Sequence, residues 1–203
     1  NSSKYQWEKD LRILEGWDRP MDALTSARDH PPTGGFSGLY TIGHSTNSLD
    51  ELLSLLHQYQ IGLVIDVRSV PCSRHTPQFN RESLAKALST TGIRYKFAGD
   101  SLGGRPQDPT CYFGGRVPSG HVDYLSAVNY DEVAGRNWYQ RGLQRLIQLA
   151  AHERVAVLCS EEDPYRCHRH HLIARSLHQF GLPVWHIRSS GSCEPAIFDP
   201  VRR

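Results

Sequence analysis

Reactive side chains are concentrated between Cys159 and His171, where thirteen residues include two cysteines, three carboxylates and three histidines. Such groups can act as nucleophiles, as general acids and bases, or as metal ligands. A short apolar run, Val155–Leu158, precedes them, and a helical pattern follows as far as Gly181. The pattern predicts a buried strand, a polar loop and a helix, an arrangement in which α/β proteins bind their ligands.

The acidic part of this loop places carboxylates beside the end of the strand. Glu161 is the preferred catalytic candidate because it lies closer to that end, and it could be a general base or a nucleophile on a sugar carbon. Glu162 could accept hydrogen bonds from a substrate, and a solvated acidic loop is the alternative for both residues. The helix is expected to begin after Asp163, which can cap it, with Pro164 at its first position.

Cys159 could act as a nucleophile, because a helix N-terminus and a nearby protonated histidine lower the pKa of a thiol. The neighbouring carboxylates oppose that effect, and a buried inert thiol is the common alternative. The spacing from Cys159 to Arg166 is one residue too long for the cysteine phosphatase loop. Zinc is a further possibility, with candidate ligands Cys159, Cys167, His168 and His171. Their spacing matches no standard zinc site, so no cofactor is favoured.

Basic side chains near the loop could bind an anion or hold the loop itself. His168 and Arg169 stand at the expected helix start, where they could fix the acidic loop or contact the substrate, and His168 could move a proton. Arg105 follows the glycine pair Gly103–Gly104 in the segment 99–122, whose length favours a functional lid. Arg105 could close over the anion, and a surface arginine is the alternative.

Two other expected strands also end in polar residues. His44 and Ser45 follow the first strand, and Asp66, Arg68 and Ser69 lie at the end of the second. Because parallel strands end at one edge of a sheet, these groups should meet the Cys159 loop there. His44 could move a proton and Ser45 could contact the substrate, whereas Arg68 and Ser69 could bind a phosphate or carboxylate. Asp66 is expected to be half-buried and paired with Arg68 or His44.

Strands and helices alternate along the chain. Strands are predicted at 39–43, 62–67, 93–97, 155–159 and 183–187, and helices at 49–60, 80–91, 123–134, 137–152 and from Asp163 to Gly181. This order predicts an α/β fold, a three-layer open and mostly parallel sheet with helices on both faces, plus an N-terminal helical arm. The expected units are an N-terminal helix and linker at 1–37, the α/β domain at 38–188, and a loosely attached tail at 189–203.

The composition is that of an ordinary soluble protein, with 203 residues, 38% hydrophobic residues and a net charge of +2. The weak positive charge permits an anionic ligand without requiring nucleic acid. Five cysteines without a framework spacing favour reduced thiols. No stretch of eighteen apolar residues occurs, so no membrane association and a cytoplasmic location are expected.

Several segments carry a family resemblance: Tyr40–Ser45, Asp66–Pro71, Pro77–Arg81, Leu102–Pro106, Gly142–Leu143, Cys159–Pro164 and Cys167–Arg169. With these segments the chain resembles the domain of unknown function 488 family over residues 39–187. The resemblance implies a three-layer α/β domain and supplies no settled reaction. His170, His171 and the N-terminal arm lie outside the resemblance, so it implies no role for them.

Three functions follow from these residues. The first is an enzyme acting on a nucleoside, a nucleotide or a modified base at an N-glycosidic or related bond, with an anionic small molecule or nucleic-acid-derived substrate. The second is a thiol- or metal-based protein that handles redox or sulfur chemistry. The third is a non-catalytic nucleic-acid binding module that uses the basic and aromatic residues Arg136, Trp138, Tyr139, Arg141 and Arg145, although an amphipathic helix explains them equally well.

Overall fold

The structure is a computed structural model that describes residues 39–120 and 122–198. The predicted N-terminal helix and linker at 1–37 therefore lie outside the described residues. In the described part of the chain, six strands form one sheet: β1 Leu39–Gly43, β2 Leu63–Asp66, β3 Arg94–Phe97, β4 Val155–Cys159, β5 Val184–Ile187 and β6 Cys193–Pro195. Their order is β3-β2-β4-β1-β5-β6, and all neighbours are parallel except β5 and β6. The predicted α/β fold with a mostly parallel sheet is confirmed.

The central strands are apolar on both faces because each face is covered by helices. Successive strand side chains point to opposite sides, so Val155 and Val157 enter one core while Ala156 and Leu158 enter the other. The helices are α1 Leu49–Gln58, α2 Arg81–Thr90, α3 Gly99–Leu102, α4 Tyr124–Ala127, α5 Tyr130–Ala134, α6 Asn137–Ala150 and α7 Arg175–Gln179. Side chains of α1 and α2 pack in the core of Ala156, and those of α5, α6 and α7 pack in the core of Val157.

Helix α1 begins where its sequence predicted. The Ser48 hydroxyl accepts a hydrogen bond from the Glu51 amide at 3.2 Å, and Glu51 accepts one from the Ser48 amide at 2.6 Å. This reciprocal pair satisfies two amides that the helix leaves without partners.

Two predicted helices differ from the observed ones. The predicted helix at 123–134 is divided into α4 and α5, because Asp123 and Asn129 each cap a helix and Val128 between them bridges to Tyr112. Asp163 caps only a single 3₁₀ turn at Pro164–Arg166, after which Cys167 is extended. The helical region resumes as a π-helix at Arg169–Ala174 that continues into α7. The expected continuous helix from Asp163 is therefore wrong.

Residues 189–198 are more ordered in their contacts than predicted. Strand β6 pairs with β5, the Ala196 amide donates to the Val184 carbonyl at 2.8 Å, and the Tyr59 hydroxyl donates to the Gly191 carbonyl at 2.6 Å. For this part of the segment, the prediction of loose attachment is wrong, because a three-residue strand containing Pro195 has little pattern of its own. The predicted loop at 99–122 likewise contains α3 and a 3₁₀ turn at Pro109–Cys111.

The strand order creates a crevice at one edge of the sheet. The chain leaves β2 towards β3 on one side and leaves β4 towards β5 on the other, so the connections of these neighbouring strands diverge. Ligands of open α/β sheets bind outside the carboxyl ends of strands at such a point. The fold therefore directs attention to the residues that follow β2 and β4.

Candidate active site

A cavity of about 370 Å³ lies at the carboxyl ends of β2 and β4. Its walls come from four parts of the chain that are distant in sequence. Seven of the residues predicted from the sequence line it: Arg68, Ser69, Arg105, Cys159, Glu161, Cys167 and His168. The lining residues that were not predicted as site residues include Asp123, Tyr124, Tyr130 and Arg166. The expectation that strand ends meet at a shared hollow is confirmed for β2 and β4.

Two sulfur atoms and one imidazole nitrogen converge at this cavity. The Sγ atoms of Cys159 and Cys167 each lie 3.7 Å from Nδ1 of His168, and the three atoms lie within 4.8 Å of one another. All three residues are buried, with exposed fractions of 7%, 3% and 8%. Cys167 is extended and His168 is helical, so these adjacent residues turn their side chains towards the end of β4. His171 is not part of this group, since its Nε2 donates to the Tyr165 carbonyl at 2.6 Å.

The orientation of the His168 ring is fixed from its far side. Nε2 donates to the Leu102 carbonyl at 3.2 Å, which leaves the lone pair of Nδ1 directed at the two sulfurs. Gly104 packs against the same ring, because a Cβ there would lie 2.5 Å from Cγ of His168. The absence of a side chain at Gly104 therefore allows the backbone to approach the imidazole closely.

The two thiols differ in acidity. A hydrogen bond from Cys167 holds the pKa of the Cys159 thiol well below its usual range, and the neighbouring His168 and Arg169 side chains act in the same direction against burial. Burial raises the pKa of the Cys167 thiol, and the neighbouring Cys159 thiolate raises it further. Cys159 is therefore the member of the pair that is poised to be a thiolate.

Arg68 is part of a buried ion pair. Its Nε donates to Oδ1 of Asp66 at 2.9 Å and its Nη2 donates to Oδ2 at 2.6 Å, while the Tyr95 hydroxyl donates to Oδ2 at 2.7 Å. The predicted pairing of Asp66 with Arg68 is confirmed, but Asp66 is fully buried rather than half-buried. The guanidinium of Arg68 thus reaches the cavity with its charge already compensated.

His44 lies behind Arg68 rather than at the cavity. Its Nε2 accepts a hydrogen bond from Nη1 of Arg68 at 3.1 Å, its Nδ1 donates to the Ser45 carbonyl at 2.9 Å, and its ring stacks on Phe79. Burial lowers the pKa of His44, with the positive charge of Arg68 acting in the same direction. Both ring nitrogens are engaged, so the predicted proton transfer by His44 has no access to the cavity in this arrangement.

The buried guanidinium of Arg169 fixes the backbone of the acidic loop at Glu161 and Glu162. Arg169 is fully buried and donates hydrogen bonds to the carbonyl oxygens of Glu161 and Glu162 and to Oγ1 of Thr41. This confirms that Arg169 fixes the loop. Gly43, at the end of β1, permits the approach, since a Cβ there would overlap the Glu161 carbonyl.

The two glutamates of this loop point to different surroundings. Glu162 pairs with Arg188 at 2.8 Å and accepts a hydrogen bond from the Ser189 amide, and the hydrogen bond from Arg188 lowers the pKa of Glu162 to about 2. Glu162 does not line the cavity. The side chain of Glu161 is exposed and lines it, and its carboxylate accepts no hydrogen bond from residues 39–120 or 122–198.

Of the remaining predicted residues, Ser69 and Arg105 line the cavity, whereas Ser45 contributes a backbone hydrogen bond next to it. The Ser69 hydroxyl accepts a hydrogen bond from the Arg105 amide at 3.0 Å, and the Arg105 guanidinium lies 4.3 Å from the centre of the Tyr124 ring. Ser45 does not line the cavity; its amide donates to the Ser160 carbonyl at 2.8 Å, which joins the ends of β1 and β4.

The sequence model of one protein family, described as "Domain of unknown function DUF488", matches residues 48–176. This chain belongs to the DUF488 family. The DUF488 match contains every cavity residue named above, whereas His44 and Ser45 precede it. No curated protein and no solved structure matches this DUF488 chain. Across residues 39–120 and 122–198, every helix is too short or too polar to cross a membrane.

Proposed function

We propose that this DUF488 protein is an enzyme that acts on an anionic, nucleotide-like substrate bound in the cavity, with Glu161 as its base or nucleophile. The observation that carries the proposal is the placement of the Glu161 carboxylate in one cavity with the guanidinium groups of Arg105 and Arg166. The cavity lies where connections diverge from neighbouring parallel strands, which is the usual ligand position in this class of fold.

The arginines of the cavity are suited to an anion. Arg105 and Arg166 have exposed side chains, and guanidinium groups form short charge-assisted hydrogen bonds with phosphate and carboxylate oxygens. Stacking on Tyr124 holds the plane of Arg105 at the wall. Because Arg68 is neutralised by Asp66, we assign it a supporting role and expect Arg105 and Arg166 to bind the substrate.

The size of the cavity limits the substrate. Small-molecule sites commonly enclose about 300–1,000 Å³, and this cavity, at about 370 Å³, lies at the lower end of that range. It suits a nucleoside, a mononucleotide or one base displaced from a strand. Tyr130 adds an aromatic ring to the wall, against which a base could pack.

Glu161 is suited to the reaction because its loop is fixed through the backbone while its carboxylate remains available. As a general base it would take a proton from the attacking water, and as a nucleophile it would attack the sugar carbon as the base departs. Arg169 and Gly43 determine where the carboxylate is presented, since both act on the Glu161 carbonyl.

The test is release of a free base. Wild-type protein is incubated with nucleosides, nucleotides and DNA containing damaged bases, and released bases are separated by chromatography. We expect the Glu161→Gln variant to lose at least about 100-fold in rate, as for removal of a general base. Glu82→Gln, the same change at an exposed position on α2, is the matched control. Release by no member of the panel, or full activity in Glu161→Gln, would contradict the proposal.

A thiol-based function is the second candidate, and the pairing of Cys159 with Cys167 favours it. Oxidation of the pair would form one S–S bond, with two electrons and two protons passing to a peroxide or to a disulfide substrate. The low pKa of Cys159 suits the attacking thiolate. The rate of its reaction with a disulfide reagent, compared with that of glutathione, tests this candidate. A rate no faster than that of glutathione would count against it.

The nucleic-acid binding module receives no comparable support. Tyr139 is fully buried in the core, and Arg136 pairs with Asp108 and Glu132 on the surface of the fold. Two members of the proposed basic and aromatic group are therefore engaged within the protein. The amphipathic-helix interpretation of α6 accounts for the pattern.

A further inference from the structure

The cluster of Cys159, Cys167 and His168 has the donor atoms and spacing of a transition-metal site. Zinc binds thiolate sulfur at about 2.3 Å and imidazole nitrogen at about 2.0–2.1 Å in tetrahedral geometry, which places these two ligand atoms about 3.6 Å apart. Both observed sulfur-to-nitrogen distances are 3.7 Å. The difference, about 0.1 Å, is within the tolerance of about 0.2 Å for a metal site.

The hydrogen bonds of His168 point to the same conclusion. Its Nε2 is occupied by the Leu102 carbonyl, as is usual for a metal-binding histidine held by an outer partner. Its Nδ1 carries one lone pair, yet two sulfurs lie at equal distances from it. At most one of the two sulfurs can donate a proton to this lone pair, whereas an ion between the three atoms would bind all of them.

The cluster is open on one side. Cys159, Cys167 and His168 all line the cavity, so an ion bound by them would have its fourth position directed into that space. Three protein ligands with an open fourth position are the arrangement of catalytic zinc, whereas structural zinc is bound by four. Two thiolates would also neutralise the charge of a divalent ion in this buried position.

We propose that Cys159, Cys167 and His168 bind one zinc ion, with the open position facing the substrate cavity. This inference does not depend on the identity of the substrate. When bound, zinc would lower the pKa of a water molecule at the open position. A carboxylate of the cavity wall would accept the proton that this water loses; assigning Glu161 as that carboxylate rests on the proposed function.

The proposal assigns His168 a different role from the predicted proton transfer. As a ligand through Nδ1, it could not exchange a proton with the substrate at that nitrogen. The proposal also reduces the four weak candidates to three, since His171 is bonded to Tyr165. The other described cysteines, Cys72, Cys111 and Cys193, do not belong to the cluster.

The experiment measures metal binding without substrate, so its result is independent of base release. The 203-residue protein is reduced, stripped of metal and titrated with zinc in competition with a chromophoric chelator. Cobalt is used in parallel, because its absorption reports both tetrahedral geometry and bound thiolates. We expect one equivalent of each metal, with thiolate-to-cobalt charge transfer. Cys159→Ser, Cys167→Ser and His168→Gln should each weaken zinc binding by at least about 100-fold.

Matched controls make the same chemical changes at exposed positions. Cys72→Ser and His57→Gln should bind zinc as the wild type does. Failure of wild-type protein to bind an equivalent of metal, or cobalt binding without thiolate charge transfer, would overturn the proposal. So would zinc binding by Cys167→Ser at wild-type affinity. If the single variants fail to fold, the wild-type cobalt spectrum still decides the question. Two thiols that resist metal and oxidise to a disulfide would favour the redox candidate instead.

Discussion

The substitution Gly104→Ala tests whether the position of the His168 ring controls metal binding. A Cβ at position 104 would lie 2.5 Å from Cγ of His168, whereas ordinary contact begins at 3.4 Å. The ring or the loop must therefore move by about 0.9 Å, several times the tolerance of about 0.2 Å for a metal ligand. The change removes no ligand atom and adds one methyl group.

We expect Gly104→Ala to weaken zinc binding by about 10- to 100-fold, the usual cost of disturbing a partner that orients a ligand. This corresponds to about 1.4–2.8 kcal/mol of binding free energy. The assay is chelator competition on the reduced protein, with circular dichroism and thermal unfolding of the metal-free form as the check on folding. The two thiols are unchanged, so cobalt should still show thiolate charge transfer but with an altered ligand geometry.

Gly114→Ala is the matched control for this measurement. Gly114 lies in the same long segment, and a Cβ there would meet no atom within 4 Å. Its zinc affinity should equal that of the wild type. Wild-type affinity in a folded Gly104→Ala protein would refute the reasoning, because the nearest obstacle to the methyl group is the proposed ligand itself. An equal loss in both variants would also refute it, since the effect would then not depend on His168.

Two further predictions concern the folded state around the site. Asp66→Asn keeps the shape of the side chain but leaves the buried Arg68 guanidinium without its counter-charge, so the free energy of unfolding should fall by about 3–5 kcal/mol in urea denaturation; a loss below about 1 kcal/mol would contradict the buried ion pair. Burial lowers the pKa of His170 to about 4, below the ordinary histidine value of about 6.5 that the unfolded chain should have. The native protein therefore excludes a proton that the unfolded chain binds, and stability should be complete above about pH 6.5 and decline as the pH falls towards 4. Urea denaturation across this range should show a shallower decline for His170→Gln, and identical slopes would contradict the assignment.

The sequence located the site through strand ends. The runs Leu39–Gly43 and Val155–Cys159 are apolar because both faces of their sheet are covered, and polar residues follow them directly. From this pattern the shared edge and its Cys159–Glu161 loop could be predicted. The pattern could not show which of these polar side chains face the same cavity, because their orientation depends on contacts with residues far away in sequence.

Arg68 shows why the individual roles were harder to predict. Its type and position suggest an anion site, but Asp66, two residues earlier on the same strand, already occupies its guanidinium. His44 is similarly engaged, by Arg68 and by the Ser45 carbonyl. The sequence indicated that Asp66 could pair with Arg68 or His44. It could not show that the ion pair with Asp66 engages Arg68, and that Arg68 in turn engages His44.

The spacing of the cysteines and histidines could not show that Cys159, Cys167 and His168 converge. Standard zinc motifs assume ligands from a tight turn or from one helix face, and Cys159 with Cys167 and His168 fits neither pattern. Here Cys159 ends a strand, and the 3₁₀ turn at Pro164–Arg166 returns the chain so that Cys167 and His168 face it. Only the interruption of the predicted helix makes this possible, because a continuous helix from Asp163 would direct adjacent residues to different sides.

The buried guanidinium beneath the acidic loop has a practical consequence for redesign. Arg169 donates hydrogen bonds to the main-chain carbonyl oxygens at positions 161 and 162, and these bonds do not involve the side chains there. Exchanging Glu161 for aspartate, histidine or serine should thus leave the loop's path intact while altering the group offered to a ligand. Position 161 is consequently a place where the chemical group presented to the cavity can be varied without changing the backbone of the loop.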